Sequence, residues 1–254
     1  MRRLVILSCV LSLGVALILF VNNKPDTISL TNVKAIQTSR NNLMFMVTLQ
    51  IENSGDPDKL ISVSSPLAQN ASIMNLSGGS SAIIIPAKAT GIFAMDGAHV
   101  MLKTKSDALG KRAFIPLTLT FENAGAVSVR AEITGKSMMN HGQSSGVLES
   151  PPPALSLSWK EPPDKNGATV QLVVRNFTFF RADDGAKHVP NQGHAHVYLN
   201  GLKLGRLYAE TYEIGALSPG KYRLSIELNS NDHRSYLGDG QIIGAFLEFE
   251  IPKV

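Results

Sequence analysis

From Leu43 the chain reads Leu-Met-Phe-Met-Val-Thr-Leu-Gln-Ile, and alternate positions separate by character. Leu43, Phe45, Val47, Leu49 and Ile51 share one strand face, and Met44, Met46, Thr48 and Gln50 share the other, because successive strand side chains point to opposite sides. This period predicts a half-buried strand. Further β runs stand at 60–63, 82–85, 91–94, 115–121 and 127–133, separated by Ser-Gly-Asp, Ser-Gly-Gly, Pro-Ala-Lys and Asn-Ala-Gly turns. Short strands at this spacing, with no comparable stretch at a helical period, predict a β-sandwich or barrel of about one hundred residues.

The composition then breaks. Met138-Met139-Asn140-His141, a Gly-Gln-Ser-Ser-Gly run and Pro151-Pro152-Pro153 read as a linker with a stiff end. Strand-like runs resume at 155–159, 169–174, 194–199, 222–228 and 246–251. Asn200-Gly201 separates two of them, and both residues accept the positive φ that a two-residue type I′ hairpin demands. The expected fold class is therefore all-β, with two β-sandwich domains at 24–135 and 154–254 joined by a linker at 136–153. The two halves share no recognisable repeat.

Ahead of them, Met1-Arg2-Arg3 precedes an uncharged, proline-free run from Leu4 to Val21. A basic start before an apolar core is the pattern of a secretory signal. As a helix the run would reach ~27 Å, enough to cross a bilayer. Asn22-Asn23-Lys24-Pro25 offers no clear small-x-small cleavage site. Residues 1–23 are thus expected to be a signal peptide or an uncleaved N-terminal apolar helix in the inner membrane, with the rest exported to the periplasm. The single cysteine, Cys9, lies inside this run, so the exported part has no disulfide, thiolate metal site or cysteine nucleophile. Arg2 and Arg3 supply two of the four units of net positive charge. The remainder is nearly neutral and lacks the clusters of Lys and Arg that a nucleic-acid partner requires.

Chemistry is concentrated in histidine and methionine. In Gly97-Ala98-His99-Val100-Met101-Leu102, His99 and Met101 are two apart and share a face if the segment is a strand. An imidazole with a thioether is a soft pair that favours Cu(I). Met74 and Met95 are candidates for the remaining sulfur. The same residues also read as ordinary packing, since methionine commonly fills gaps.

Four segments carry a resemblance. Residues 55–68 (Gly-Asp-Pro-Asp-Lys-Leu-Ile-Ser-Val-Ser-Ser-Pro-Leu-Ala), 85–90 (Ile-Pro-Ala-Lys-Ala-Thr), 97–102 and 116–125 (Pro-Leu-Thr-Leu-Thr-Phe-Glu-Asn-Ala-Gly) are ordered as in the periplasmic copper chaperones called PCu(A)C. The chain resembles that family over about residues 30–133. The resemblance implies a cupredoxin-like, immunoglobulin-like sandwich that binds Cu(I) without catalysis and delivers it to a copper enzyme such as an oxidase. It puts the closing His-x-Met on His99 and Met101 and the first ligand on Met74. This chain departs from the pattern in its short 77–85 stretch and in having no methionine just before Ile85, which makes Met95 the replacement candidate. Family members often end in a Met/His tail for a second copper, and Met138, Met139 and His141 resemble a minimal one.

The second half contains Gly193-His194-Ala195-His196-Val197-Tyr198-Leu199-Asn200-Gly201 and Leu228-Asn229-Ser230-Asn231-Asp232-His233. It resembles a small β-sandwich domain of exported bacterial proteins. His194 and His196 share a strand face, and His233 follows a strand that can lie alongside. With His188 and Asp232 as additions, they are candidates for Cu(II) or Zn(II). The bland reading is a turn cap and a satisfied, half-buried imidazole. Enzyme readings find little, since no Gly-x-Ser-x-Gly elbow occurs. The expected function is a copper chaperone; the alternatives are a membrane-anchored interaction module of two sandwiches, or a copper metalloenzyme using the second-domain histidines.

Overall fold

The computed structural model describes residues 27–38, 43–75, 83–105, 112–136, 146–183 and 185–253. The expectations for residues 1–23 and for Met138, Met139 and His141 lie outside the described residues. Among the described residues every regular element is a strand, and no helix is long and apolar enough to cross a membrane.

The first half contains β1 (Ile28–Gln37), β2 (Met44–Asn53), β3 (Asp58–Ser64), β4 (Ala68–Met74), β5 (Ile83–Ile85), β6 (Thr90–Phe93), β7 (His99–Thr104), β8 (Phe114–Phe121) and β9 (Gly125–Lys136). Neighbours run β6-β2-β1-β9-β8-β3-β5, with β4 and β7 branching from β2. The branch arises because β2 divides its partners. Leu49 to Glu52 pair with β6, and Met44 to Val47 pair with β7. Phe45, Val47, Leu49 and Ile51 are buried as the alternation requires. The expected strands at 43–51, 60–63, 91–94, 115–121 and 127–133 all appear, with ends shifted by a few residues. β1 escapes the period-two reading because its pairing with β2 shifts between Thr31 and Lys34, where Asn32 has a φ of 52°. Such an irregularity breaks the alternation that would reveal the strand.

The second half contains β10 (Val147–Leu148), β11 (Ala154–Asp164), β12 (Gly167–Arg175), β13 (Thr178–Phe179), β14 (Gln192–Leu199), β15 (Leu202–Leu207) and β16 (Thr211–Gly215). β17 (Gly220–Ser230), β18 (Tyr236–Gly238), β19 (Gln241–Ile242) and β20 (Gly244–Ile251) complete it. One layer runs β20-β17-β14-β15 and another β11-β12-β16. The chain's one tryptophan, Trp159 on β11, meets Phe249 on β20 edge-on at 5.1 Å, and Val170, Leu172, Val197, Leu224 and Ile226 belong to the buried core. Asn200 and Gly201 take φ of 48° and 81°, the pair of positive values that defines a type I′ turn. The Pro-rich end of the linker is not free of the second half. Val147 is buried, β10 lies parallel to β18, and Glu149 Oε1 is 2.6 Å from His188 Nε2.

The halves meet edge to edge. β15 lies antiparallel to β6 with Lys203 opposite Ile92, so one sheet continues through both. Nearby, the Ala87 amide donates to the Ala216 carbonyl at 3.0 Å. A Cβ on Gly215 would fall 2.2 Å from the Ala87 carbonyl oxygen, closer than any real Cβ contact. Gly215→Ala is therefore expected to lower stability by about 1–3 kcal/mol, the usual cost of overpacking. Urea unfolding measures it, and an unchanged midpoint would show that the seam tolerates separation.

Candidate metal centre

β7 runs between β2 and β4. Its Val100 and Leu102 are fully buried, which forces His99 and Met101 onto the opposite face. Met74, the last residue of β4, stands directly across from His99, and Met46 of β2 stands directly across from Met101. Directly opposed residues share a face with Cβ atoms about 4.5–5.5 Å apart. The register thus gathers three thioethers and one imidazole into one patch. Met74 is 46% exposed and His99 9%, while Met46 is 1%, so the patch grades from open surface to closed interior.

Met46 is the member that sequence reasoning did not single out. Its signal was present in the outward alternation of 43–51, but only the pairing of β2 with β7 brings it to Met101. Met95 stands in the turn between β6 and β7, 54% exposed and in no strand pair with His99. His99 itself is prepared for a ligand role. Its Nδ1 lies 3.0 Å from the Gly97 carbonyl oxygen, and a carbonyl can only accept. In the neutral ring the proton therefore sits on Nδ1 and the lone pair on Nε2, the arrangement in which a metal-ligating imidazole is oriented from behind.

In the second half, His194 and His196 on β14 are 3% and 4% exposed. Their Nε2 atoms are 3.0 Å apart, so one donates to the other. His194 is the middle of a row, with ring centroids 4.9 Å from His196 and 5.0 Å from His233. His233 holds a φ of 67°, in the left-handed region that residues other than glycine seldom enter. The two expected additions go elsewhere. His188 pairs with Glu149, and Asp232 pairs with Arg234. Among the described residues no three His, Cys, Asp or Glu side chains are grouped to hold an ion.

The other nitrogen of His196 faces the first half. Its Nδ1 is 3.2 Å from Asp96 Oδ2, 3.1 Å from Lys203 Nζ and 3.3 Å from the Tyr198 hydroxyl. Lys203 Nζ and the Tyr198 hydroxyl both donate to Asp96 Oδ2, at 2.6 and 3.0 Å. Burial pushes the Asp96 carboxyl up, but the hydrogen bond from His196 and the charge of Lys203 outweigh it and hold the group below the usual carboxylate range. Burial lowers Lys203, with Asp96 opposing. Burial likewise lowers His196, again against Asp96. His194 has no carboxylate beside it: burial first, then the neighbouring imidazoles, bring it down to about 3.

A histidine held neutral in the fold but free to protonate near 6.5 when unfolded makes the unfolded state bind more protons between about pH 3 and 6.5. Stability from His194 is thus complete above about pH 6.5 and falls as pH drops through that window, by up to ~1.4 kcal/mol per unit. In chelator-treated protein, the urea midpoint is expected to drop from pH 7 to pH 5, and His194→Gln to shrink the drop. An equal drop in both proteins would remove His194 as the cause.

No curated protein matches the chain. Among solved structures, the apo PCuAC domain from PmoF1 is 24% identical, with a TM-score of 0.39, over 43% of this chain and 94% of that one. The copper-bound PCuAC domain from PmoF2 is also 24% identical, with a TM-score of 0.38, over 43% of this chain and 93% of that one. The D00-D0 domain of intimin covers 89% of this chain at 10% identity, with a TM-score of 0.24. Residues 28–133, which span β1 to most of β9, match a family model described as putative lipoprotein LpqE-like.

Proposed function

We propose that the chain is an exported carrier whose cargo is Cu(I), held by His99, Met101 and Met74 and passed to a periplasmic copper protein such as an oxidase under assembly. The observation that carries this reading is the convergence of these three side chains on one sheet face, with the His99 proton on the nitrogen turned towards Gly97. Thioethers and a neutral imidazole suit Cu(I). None of them brings a thiolate charge, so the ion remains exchangeable. Met74, half exposed at the end of β4, is the ligand an acceptor reaches first. Met46, across from Met101, fits the remaining sulfur position better than Met95. Met138, Met139 and His141 add a second, weaker copper position, and the apolar N-terminus keeps the carrier at the inner membrane.

Titration of the exported chain with Cu(I) under reducing conditions tests this. The parent is expected to bind one equivalent tightly, and a His99→Ala, Met101→Ala double variant to lose it. Met46→Leu should weaken binding and Met95→Leu should not. A double variant that binds as tightly as the parent overturns the assignment.

A second ion position is favoured by one observation, the approach of two buried imidazole Nε2 atoms to 3.0 Å. Two nitrogens each about 2.0–2.1 Å from one tetrahedral ion stand about 3.3–3.4 Å apart, so a small opening of the pair would admit one. His194 and His196 would then share an imidazole-preferring cargo, Cu(II) or Zn(II), with His233 beside them and Asp96 orienting His196 from its other nitrogen. The double variant His194→Ala, His196→Ala is expected to lose one equivalent of Cu(II) and keep Cu(I). Retention of Cu(II) by that variant, or no uptake by the parent, returns these histidines to a structural role.

A further inference from the structure

The turn that delivers His99 is held by the other half of the molecule. Ala94 to Ala98 link β6 to β7, and the Ala98 amide, one residue before His99, donates to the Gly201 carbonyl at 2.9 Å. Asp96, in the middle of the turn, receives Lys203 and Tyr198 on one carboxylate oxygen. Gly97 lies so close that a Cβ there would sit 2.9 Å from the Gly201 oxygen. The opposing ligand is tied to the same place. Asn75 directly follows Met74, and its Nδ2 donates to the Asn200 carbonyl at 2.6 Å.

Asn200 and Gly201 can serve as a fixed point because their own turn is tied to the neighbouring strand β17 of the second half. The Asn200 amide donates to the Arg223 carbonyl at 2.9 Å, and the Asn200 side chain accepts from the Arg223 amide at 2.8 Å. Both flanks of the Met74–His99 pair therefore hang on one stiff hairpin of the neighbouring domain. The polar latch around Asp96 fixes the angle at which the turn arrives.

We propose that the second domain is the positioning frame of the first-domain copper site, with Asp96, Lys203 and Tyr198 as positioning residues that set His99 against Met74 without touching the ion. This rests on the reading of His99, Met101 and Met74 as Cu(I) ligands. The physical content is preorganisation. A ligand pair held at fixed separation binds without the cost of ordering it, and groups that orient ligands from behind are typically worth 10- to 100-fold in metal affinity.

The test is a competition titration of the exported full chain against a chromophoric Cu(I) chelator. Lys203→Met removes the latch's cation without stranding a buried positive charge. It is expected to weaken Cu(I) binding about tenfold, at the low end of that range, while circular dichroism shows the strands intact. Lys203→Arg, which keeps a donor for Asp96, is expected to recover most of the loss. Tyr198→Phe removes one hydroxyl, keeps the ring, and should produce a smaller loss in the same direction; it serves as the reading should Lys203→Met not fold. X-ray absorption at copper adds a readout that general destabilisation would not move, namely a lower nitrogen contribution in Lys203→Met than in the parent. Parent-like affinity and spectrum in both Lys203→Met and Tyr198→Phe overturn the proposal. A parent that binds no Cu(I) instead overturns the ligand assignment, so the two failures are distinct.

Discussion

The burial of Val100 and Leu102 in β7 is the constraint on which the candidate site depends. Both are fully enclosed, and a slip of one residue would send them to the outer face and bring His99 and Met101 into the core. The apolar half of β7 thus sets the orientation of its chemical half. Because β7 is flanked on both sides, by β2 and by β4, the same register also decides which residues stand beside the His-x-Met pair. Core packing and ligand geometry are one problem in this strand.

The seam between the halves is unusual in carrying charge as well as backbone pairing. Lys203 is 9% exposed and is the residue that β15 places opposite Ile92. A buried ammonium requires a partner, and that partner, Asp96, comes from the other half. Removing Asp96 alone would cost far more than the pair contributes, because it strands the buried Lys203 ammonium, whereas the Asp96 carboxylate is partly solvated. The arrangement therefore specifies one docking geometry more than it adds stability. Glu227, raised first by burial and then by the nearby Asp96, belongs to the same field of polar groups on the β14 and β17 face.

The two histidine-bearing sites differ in kind. His99 lies among thioethers and has its proton fixed by a carbonyl, whereas His194 and His196 lie among imidazoles, a lysine and tyrosines. The first environment is soft, with thioethers gathered around one imidazole. The second is a hydrogen-bonded row that ends on Asp96, the residue that also sits in the turn leading to His99.

Strand alternation, turn chemistry and the absence of helical periods made the all-β class, most strand positions and the Asn200-Gly201 hairpin legible in the sequence, because each depends on residues within a few positions of one another. The His99-x-Met101 pair was legible for the same reason, being a same-face spacing on one strand. Met46 beside Met101, Met74 across from His99, and the row from His194 to His233 required knowledge of which strands are neighbours. Local pattern does not contain that pairing; it is decided by how all the apolar faces are buried together. The latch of Lys203 and Tyr198 on Asp96 lies further still from what a sequence shows. Asp96 reads as an ordinary turn acid until a neighbouring domain, about a hundred residues later in the chain, brings a buried cation to it.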